Sequence, residues 1–161
     1  MLQMRDVILA PMSEEQFQSY LERAVHRYAL ENIKAGYRTE EDAESKSKED
    51  HLRLLHRGLD TPLNHLFVIK DPASGDQVGA LWVKFEEDGS RSGFIYDLFI
   101  EEEHRGKGLG KATMHALEKL AKERAVRVLY LHVFAHNPVA IRLYQGSGFA
   151  VKSMNMERLL E

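Results

Sequence analysis

The residues with the clearest capacity for chemistry lie between Leu98 and Lys111, in the stretch LFIEEEHRGKGLGK. An apolar run ends in acidic residues, and a glycine-rich segment with basic side chains then precedes an apolar pattern typical of a helix. Glycines lack a Cβ atom, so the backbone N–H groups of such a loop can turn toward a phosphate, and the helix dipole adds to the attraction. The pattern predicts an anion-binding loop. A solvated, glycine-rich surface turn is the alternative.

Two well-known phosphate-binding loops do not fit this spacing. A P-loop requires a glycine five positions before Gly110, where Arg105 stands, and Ser or Thr directly after Lys111, where this chain has alanine. The dinucleotide fingerprint Gly-x-Gly-x-x-Gly finds no third glycine when it is started from Gly106 or Gly108. The sequence therefore disfavours ATP or GTP hydrolysis and chemistry with nicotinamide or flavin.

A different spacing, Arg-x-x-Gly-x-Gly, is met by Arg105, Gly108 and Gly110. With it the chain resembles the GCN5-related N-acetyltransferase (GNAT) family. A second block, residues 129–149 (LYLHVFAHNPVAIRLYQGSGF), is similar to that family's strand, Asn-initiated helix, tyrosine and Gly-Phe ending. The resemblance is close over residues 93–149, and the first half matches only in its pattern of helices and strands. It implies acetyl-CoA as co-substrate and N-acetylation of a primary amine as the activity.

The resemblance also implies where acetyl-CoA is bound. The pantetheine arm is expected along the end of the strand at residues 98–100, with the pyrophosphate over residues 105–111. A backbone N–H near Leu98 or Phe99 would face the thioester carbonyl and stabilise developing negative charge. The binding residues expected on this basis are Leu98, Phe99, Ile100, Arg105, Gly106, Lys107, Gly108, Leu109, Gly110, Lys111, Asn137 and Tyr144.

Three side chains are candidates for proton transfer. The acceptor amine must be neutral, and a lysine amine has a pKa of about 10.4, so a base or a desolvating pocket is needed. Asp97 and His132 are the candidate bases, although some family members carry a carboxylate on the strand where this chain has His132. Tyr144 matches the family tyrosine that protonates or hydrogen-bonds the CoA sulfur. The structural alternatives are a core tyrosine for Tyr144 and a strand-end hydrogen-bond acceptor for Asp97.

The reaction is expected to be direct, because the chain has no cysteine and no serine in a nucleophile motif. No metal is expected. His132 and His136 have the separation of a helical metal pair, but they straddle a predicted strand end, where that separation does not bring side chains together. A small-molecule amine and a peptide amine remain open as acceptors. The alternatives to an enzyme are a non-catalytic acyl-CoA-binding module and a nucleotide-binding regulator.

Length and charge narrow the remaining possibilities. A chain of 161 residues with no cysteine favours one domain, residues 1–161, with a core that needs no disulfide. The 22 basic residues oppose 25 acidic ones, and this net charge of −3 argues against a nucleic-acid binder. The N-terminus lacks the apolar core of a signal peptide, so a cytoplasmic protein without a membrane role is expected. A monomer and a homodimer both remain open.

The apolar patterns predict helices and strands along the chain, and the resemblance implies that they form a single α/β (α+β) domain of the GNAT fold. Its central sheet would be mixed and mostly antiparallel, with one parallel strand pair and helices on both faces. We expect the parallel strands to separate near their C-terminal ends. The resemblance implies that the early helical region borders the acceptor pocket. The predicted strands are residues 7–10, 65–70, 78–85, 94–100, 127–134, 149–152 and 154–159, and the predicted helices are residues 13–34, 39–57, 109–124 and 137–146.

Overall fold

A computed structural model describes residues 5–160, and at its centre lies a five-stranded sheet in the order β1-β2-β3-β4-β5. Neighbouring strands are antiparallel except for β4 and β5, which are parallel. The strands are β1 (Ile8–Pro11), β2 (Asn64–Lys70), β3 (Gln77–Phe85), β4 (Ser92–Ile100) and β5 (Val128–Leu131). The helices are α1 (Glu14–Lys34), α2 (Ala43–Leu54), α3 (Leu109–Glu123) and α4 (Pro138–Gly146). The predicted mixed sheet with one parallel pair is confirmed.

Helix α1 begins where the sequence predicts, because Ser13 and Gln16 form a capping box. The Ser13 hydroxyl accepts from the Gln16 N–H at 3.1 Å, and the Gln16 side chain accepts from the Ser13 N–H at 2.8 Å. The second helix begins later than predicted. Asp42 is its N-cap residue and its last residue is Leu54, so the helix is shorter at both ends than the predicted range 39–57.

The core has two parts, one on each face of the sheet. Alternate residues of β2 point to opposite faces, so Ile69 packs with Leu117 of α3 while Val68 packs with Phe17 of α1. The helices on both faces were predicted from the sequence. No helix within residues 5–160 combines the length and apolar character needed to cross a membrane.

Strands β4 and β5 separate halfway along β4. Their pairing runs from Ser92 with Val128 to Ile95 with Leu131, whereas β4 continues to Ile100. Tyr96 is an extra residue in β4, since Trp82 of β3 pairs with Asp97 and the next residue pairs with Ile95. The predicted separation is therefore present. The separation begins earlier along the strands than predicted, because β5 ends at Leu131 and the predicted strand extended to residue 134.

The two predicted C-terminal strands, residues 149–152 and 154–159, are wrong. Residues 149–160 lie in no helix or strand, and every residue from 150 to 160 is exposed. The alternating apolar pattern gives this segment strand propensity, but a strand also needs a neighbour to accept and donate its backbone hydrogen bonds. Within residues 5–160 the segment has no such neighbour.

Candidate active site

A cavity of about 1130 Å³ lies where β4 and β5 separate. Helices α1 and α2 border one part of it, and the glycine loop, the segment after β5 and α4 border another. Of the residues predicted from the sequence, only Lys107 does not line the cavity. The predicted residues that line it are Asp97, Leu98, Phe99, Ile100, Arg105, Gly106, Gly108, Leu109, Gly110, Lys111, His132, Asn137 and Tyr144.

The end of β4 presents backbone groups to this cavity. The Glu101 N–H donates to the Val78 carbonyl of β3 at 2.8 Å, so the backbone of Glu101 faces β3. Because successive residues of a strand direct their backbone groups to opposite sides, Leu98 and Ile100 face away from β3 and toward the cavity. The Ile100 carbonyl accepts from Arg105 Nε at 2.8 Å. An extended ligand can therefore pair with the remaining groups of Leu98 and Ile100.

The glycine loop ends in the N-terminus of α3. Gly106 and Gly108 have φ angles of 75° and 79°, a conformation that favours glycine, and Gly108 is the residue that caps α3. Within the described part of the chain no side chain caps this helix, and its first turn holds no acidic residue. Its first N–H groups are thus available to an anion. Gly110 serves packing, because a Cβ there would lie 3.0 Å from Leu143 of α4.

Tyr144 is positioned by α4 and by the chain that follows it. The Asn137 side chain accepts from the Ala140 N–H at 3.2 Å, which confirms the predicted helix start. The Tyr144 ring meets Phe149 edge to face, with 5.8 Å between the centroids. Burial, together with the negative charge of Asp97, raises the pKa of Tyr144 to about 12. The phenol is therefore protonated at neutral pH and can donate a proton.

Asp97 is bound by two side chains of α1 that sequence reasoning missed. Arg27 contacts its two carboxylate oxygens at 3.3 and 2.9 Å, and the Tyr20 hydroxyl donates to it at 2.7 Å. Burial, followed by the nearby carboxylate, raises the pKa of Tyr20 well above its usual value. The Arg27 guanidinium also lies 3.9 Å from the centroid of the Phe99 ring. The only sequence signal is that Arg27 follows Tyr20 by seven residues, a spacing that places both on one face of a helix.

His132 and His136 occupy different surroundings. His132 is exposed directly after β5, its ring lies edge to face with Phe134 at 5.0 Å, and it makes no hydrogen bond with any described residue. His136 is bonded through Nε2 to Glu31 of α1, which fastens the loop before α4 to the first helix. Residues 5–160 contain no group of three or more His, Cys, Asp or Glu side chains that could hold a metal ion.

Aromatic side chains line the part of the cavity next to α1 and α2. Their ring centroids follow one another at 6.3 Å (Phe134 to Tyr28), 5.8 Å (Tyr28 to His51), 5.8 Å (His51 to Trp82) and 4.5 Å (Trp82 to Tyr96). We call these five residues the aromatic wall. They come from α1, α2, β3, β4 and the segment after β5, so no local sequence pattern predicts that they lie together. An aromatic surface of this kind can hold the apolar part of a ligand and face an organic cation.

Residues 23–149 match the model of the Acetyltransferase (GNAT) family. The chain belongs to this family. This GNAT protein is therefore an enzyme of the acyltransferase class, and the resemblance seen in the sequence is confirmed. The match also reaches into the first half of the chain, where the sequence motifs are weak.

Whole-chain relatives agree with this assignment. The uncharacterized N-acetyltransferase YycN of Bacillus subtilis is 42% identical over 155 residues, which cover 96% of this chain and 99% of YycN. Its crystal structure matches with a TM-score of 0.91. The uncharacterized N-acetyltransferase YdgE of the same organism is 34% identical over 153 residues, covering 94% of this chain and 97% of YdgE.

A more distant structure shares the fold. The spermidine N-acetyltransferase of Vibrio cholerae, solved in complex with CoA and spermine, has a TM-score of 0.65 at 20% identity, covering 96% of this chain and 87% of that one. At this identity the likeness concerns the architecture alone.

Titration of the wild type and of two variants tests the pKa of Tyr144 and the two causes given for its rise. We expect the difference between the tyrosinate absorbance of the wild type and of Tyr144→Phe to appear only near pH 12. Asp97→Asn should lower the pKa of Tyr144, because removing a nearby negative charge makes the phenolate less unfavourable. The change should be smaller than the whole shift, since burial is the larger cause. A Tyr144 titration centred near pH 10 in the wild type would contradict this account.

Proposed function

We propose that this GNAT enzyme transfers the acetyl group of acetyl-CoA to a primary amine by direct attack of the amine on the thioester. The observation that carries the proposal is the separation of β4 and β5, because it opens one cavity to the Leu98 backbone, the N-terminus of α3 and the Tyr144 side chain. Acetyl-CoA supplies an activated acyl group and a long arm with two amides. The residues of this chain bind, orient and exchange protons.

The glycine loop holds the pyrophosphate in this proposal. The N–H groups at the start of α3 point out of an uncapped helix end, and Gly106 and Gly108 have no heavy atom within 4 Å of where a Cβ would be. A diphosphate can therefore approach the backbone closely, as helix N-termini allow. Arg105 and Lys111 line the same cavity and supply positive charge, and Lys107 contributes from outside its wall.

The end of β4 aligns the thioester. The backbone groups of Leu98 and Ile100 that face the cavity replace the lost pairing with β5 by pairing with the amides of the pantetheine arm. The Leu98 N–H then lies beside the acyl carbonyl, where a fixed donor stabilises the negative charge that develops on oxygen. This choice favours Leu98 over Phe99, because the backbone of Phe99 faces β3.

Tyr144 donates a proton to the sulfur that leaves. A phenol with a pKa of about 12 is protonated at neutral pH and donates a hydrogen bond to the departing sulfur. Because a thiol has a pKa of only about 8.5, the phenol gives up its proton only as it receives another one in the same step. The proton moves from the Tyr144 hydroxyl to sulfur, and CoA departs as the thiol. In the same step the hydroxyl takes up the proton that the nitrogen of the attacking amine loses, so no free tyrosinate is left.

His132 is the better placed of the two candidate bases. A base must offer a lone pair to the proton of the amine, and the Asp97 carboxylate already accepts three hydrogen bonds from Arg27 and Tyr20. His132 lines the same cavity and is exposed. We therefore assign proton removal to His132, while Asp97 fixes α1 against β4.

A small-molecule amine is the acceptor that the cavity favours. The aromatic wall and the flanking helices α1 and α2 enclose the acceptor end, which suits a compact organic amine better than a folded protein. The Vibrio cholerae enzyme that shares this architecture was solved with spermine, a small amine, so the fold is compatible with an acceptor of this class. Release of CoA thiol can be followed against a panel of amines with low background, because the protein has no cysteine.

The catalytic role of Tyr144 is tested by removing its hydroxyl. We expect Tyr144→Phe to lower kcat about 100-fold or more, because general acid catalysis contributes at least that much, and to leave the Kd for acetyl-CoA almost unchanged. Tyr130→Phe, which removes an exposed tyrosine hydroxyl on β5, is the matched control and should keep full activity. Equal turnover by both variants would remove Tyr144 from the mechanism.

The phosphate-binding role of the glycine loop is tested by Gly108→Val. Valine is strained at the φ angle of 79° that Gly108 adopts, and its branched side chain at the helix end should obstruct the diphosphate. We therefore expect the affinity for acetyl-CoA, measured by calorimetry, to fall at least tenfold. The control is Gly89→Val, because Gly89 has a φ angle of 87° and lies in the turn between β3 and β4, away from the cavity. It carries the same backbone strain. Comparable loss of affinity in both variants would mean that the loop is not the binding site.

The two candidate bases are separated by His132→Gln and Asp97→Asn. We expect His132→Gln to lower kcat/KM with little change in the melting temperature, because His132 is exposed and makes no hydrogen bond with any described residue. Asp97→Asn should lower the melting temperature, since it leaves the half-buried Arg27 without its counter-charge. An unchanged kcat/KM for His132→Gln over the pH range of activity would return the role of base to Asp97 or to the solvent.

A further inference from the structure

The acidic side chains that line the cavity already have partners within the chain. Each is bonded to other side chains: Glu31 to His136, Asp50 to Arg38 and Arg53, and Asp97 to Arg27 and Tyr20. Among the described residues, the lining therefore has no carboxylate left for a second positive charge on the acceptor. An acceptor with several amines would place its extra charges beside basic groups, where they are repelled.

Two arginines share one carboxylate at the part of the cavity that α2 borders. Arg38 Nη2 lies 2.6 Å from one oxygen of Asp50, and Arg53 Nη2 lies 3.2 Å from the other. Burial alone would raise the pKa of Asp50, but hydrogen bonds from the two guanidinium groups hold it below its usual value. Asp50 is therefore ionised at neutral pH. One negative charge faces two positive charges here, and one positive charge is left over.

The donors of these two arginines, which we call the guanidinium pair, are only partly used. Arg38 Nη1 is buried and has no hydrogen-bond partner among residues 5–160. The Arg53 side chain is 69% exposed and lines the cavity, so its remaining N–H groups are open to a ligand. Lys34, which is exposed in the same lining, adds a further positive charge. This part of the cavity is thus suited to an anionic group.

We propose that the acceptor is a primary amine that also carries a carboxylate, and that the guanidinium pair binds this carboxylate. The inference rests on the proposed acetyl transfer and names the class of its acceptor. Guanidinium groups bind carboxylates through N–H donors held in a fixed, planar arrangement. A single surplus positive charge at Asp50 matches a singly charged carboxylate better than a doubly charged phosphate, and it disfavours a polyamine.

The aromatic wall connects the guanidinium pair to the proposed base. The Arg38 guanidinium lies 5.8 Å from the centroid of the Tyr28 ring. Phe134 follows Tyr28 in the wall, and its ring centroid lies 5.0 Å from that of His132. An acceptor held by its carboxylate lays its apolar stem along these rings and directs its amine toward His132. Contacts at both ends orient the amine for attack on the thioester.

Pairs of amines that differ only in the carboxylate test the acceptor class. The pairs are glycylphenylalanine with its C-terminal amide, and ε-aminocaproate with ε-aminocaproamide. We expect kcat/KM for CoA release to be at least about tenfold higher for each carboxylate, because hydrogen bonds to a charged group contribute roughly this factor. Amides or spermidine acetylated as fast as the carboxylates would overturn this inference and leave the proposed transfer intact. Absence of CoA release with every primary amine would overturn both.

Variants of the guanidinium pair assign the preference to these side chains. Arg38→Gln and Arg53→Gln should each lower kcat/KM for the carboxylates about tenfold and change kcat/KM for the amides less than about twofold. Arg53 is largely exposed, so Arg53→Gln keeps the test decisive where Arg38→Gln does not fold. The matched control is Arg57→Gln, which removes the same charge from an exposed residue outside the cavity lining and should keep the full preference. An unchanged preference in folded Arg53→Gln, or an equal loss for carboxylates and amides, would overturn the proposal.

Discussion

The structure depends on one constraint, which is that backbone N–H and C=O groups taken out of a sheet must still be hydrogen-bonded. β4 is paired on both sides only as far as Ile95, and its last four residues have a partner only in β3. Arg105 takes one of the released carbonyls, at Ile100. The groups that remain face a cavity, and they give it a row of donors and acceptors whose spacing is set by the strand. This row suits an extended ligand that carries amides.

A second network connects the two ends of that cavity. Asp97 begins the unpaired part of β4, and its charge is held by Arg27 and Tyr20 of α1. Arg27 stacks on Phe99, and Asp97 contributes to the raised pKa of Tyr144 on α4. A half-buried ion pair contributes little net stability after desolvation, but losing one partner is costly. The pair is thus better explained by fixing α1 against β4 than by adding to the stability of the core.

Much of the site could be predicted because its residues are close in sequence and depend on local rules. The glycine loop, the Asn137 cap and the strands of the meander each follow from patterns within about ten residues. Long-range contacts left no such pattern. Arg27 meets Asp97 across 70 positions, and Glu31 meets His136 across 105. The predicted C-terminal strands are wrong for a related reason. Strand propensity is a property of the local sequence, whereas the neighbouring strand that must pair with it comes from elsewhere.

The residues that the sequence predicted and those that it did not lie in different parts of the cavity. Residues 97–144 hold the β4 end, the glycine loop and the tyrosine, to which we assign acetyl-CoA, and the length of that co-substrate requires these groups to keep one geometry. The aromatic wall draws Tyr28 and His51 from the first half of the chain and Trp82 from its middle, and in the proposed function only the shape and charge of the acceptor restrict the choice of these side chains. Motifs therefore concentrate in the second half. In the proposed function the acceptor is chosen by contacts between helices α1 and α2 and the sheet, which exist only once the chain has folded.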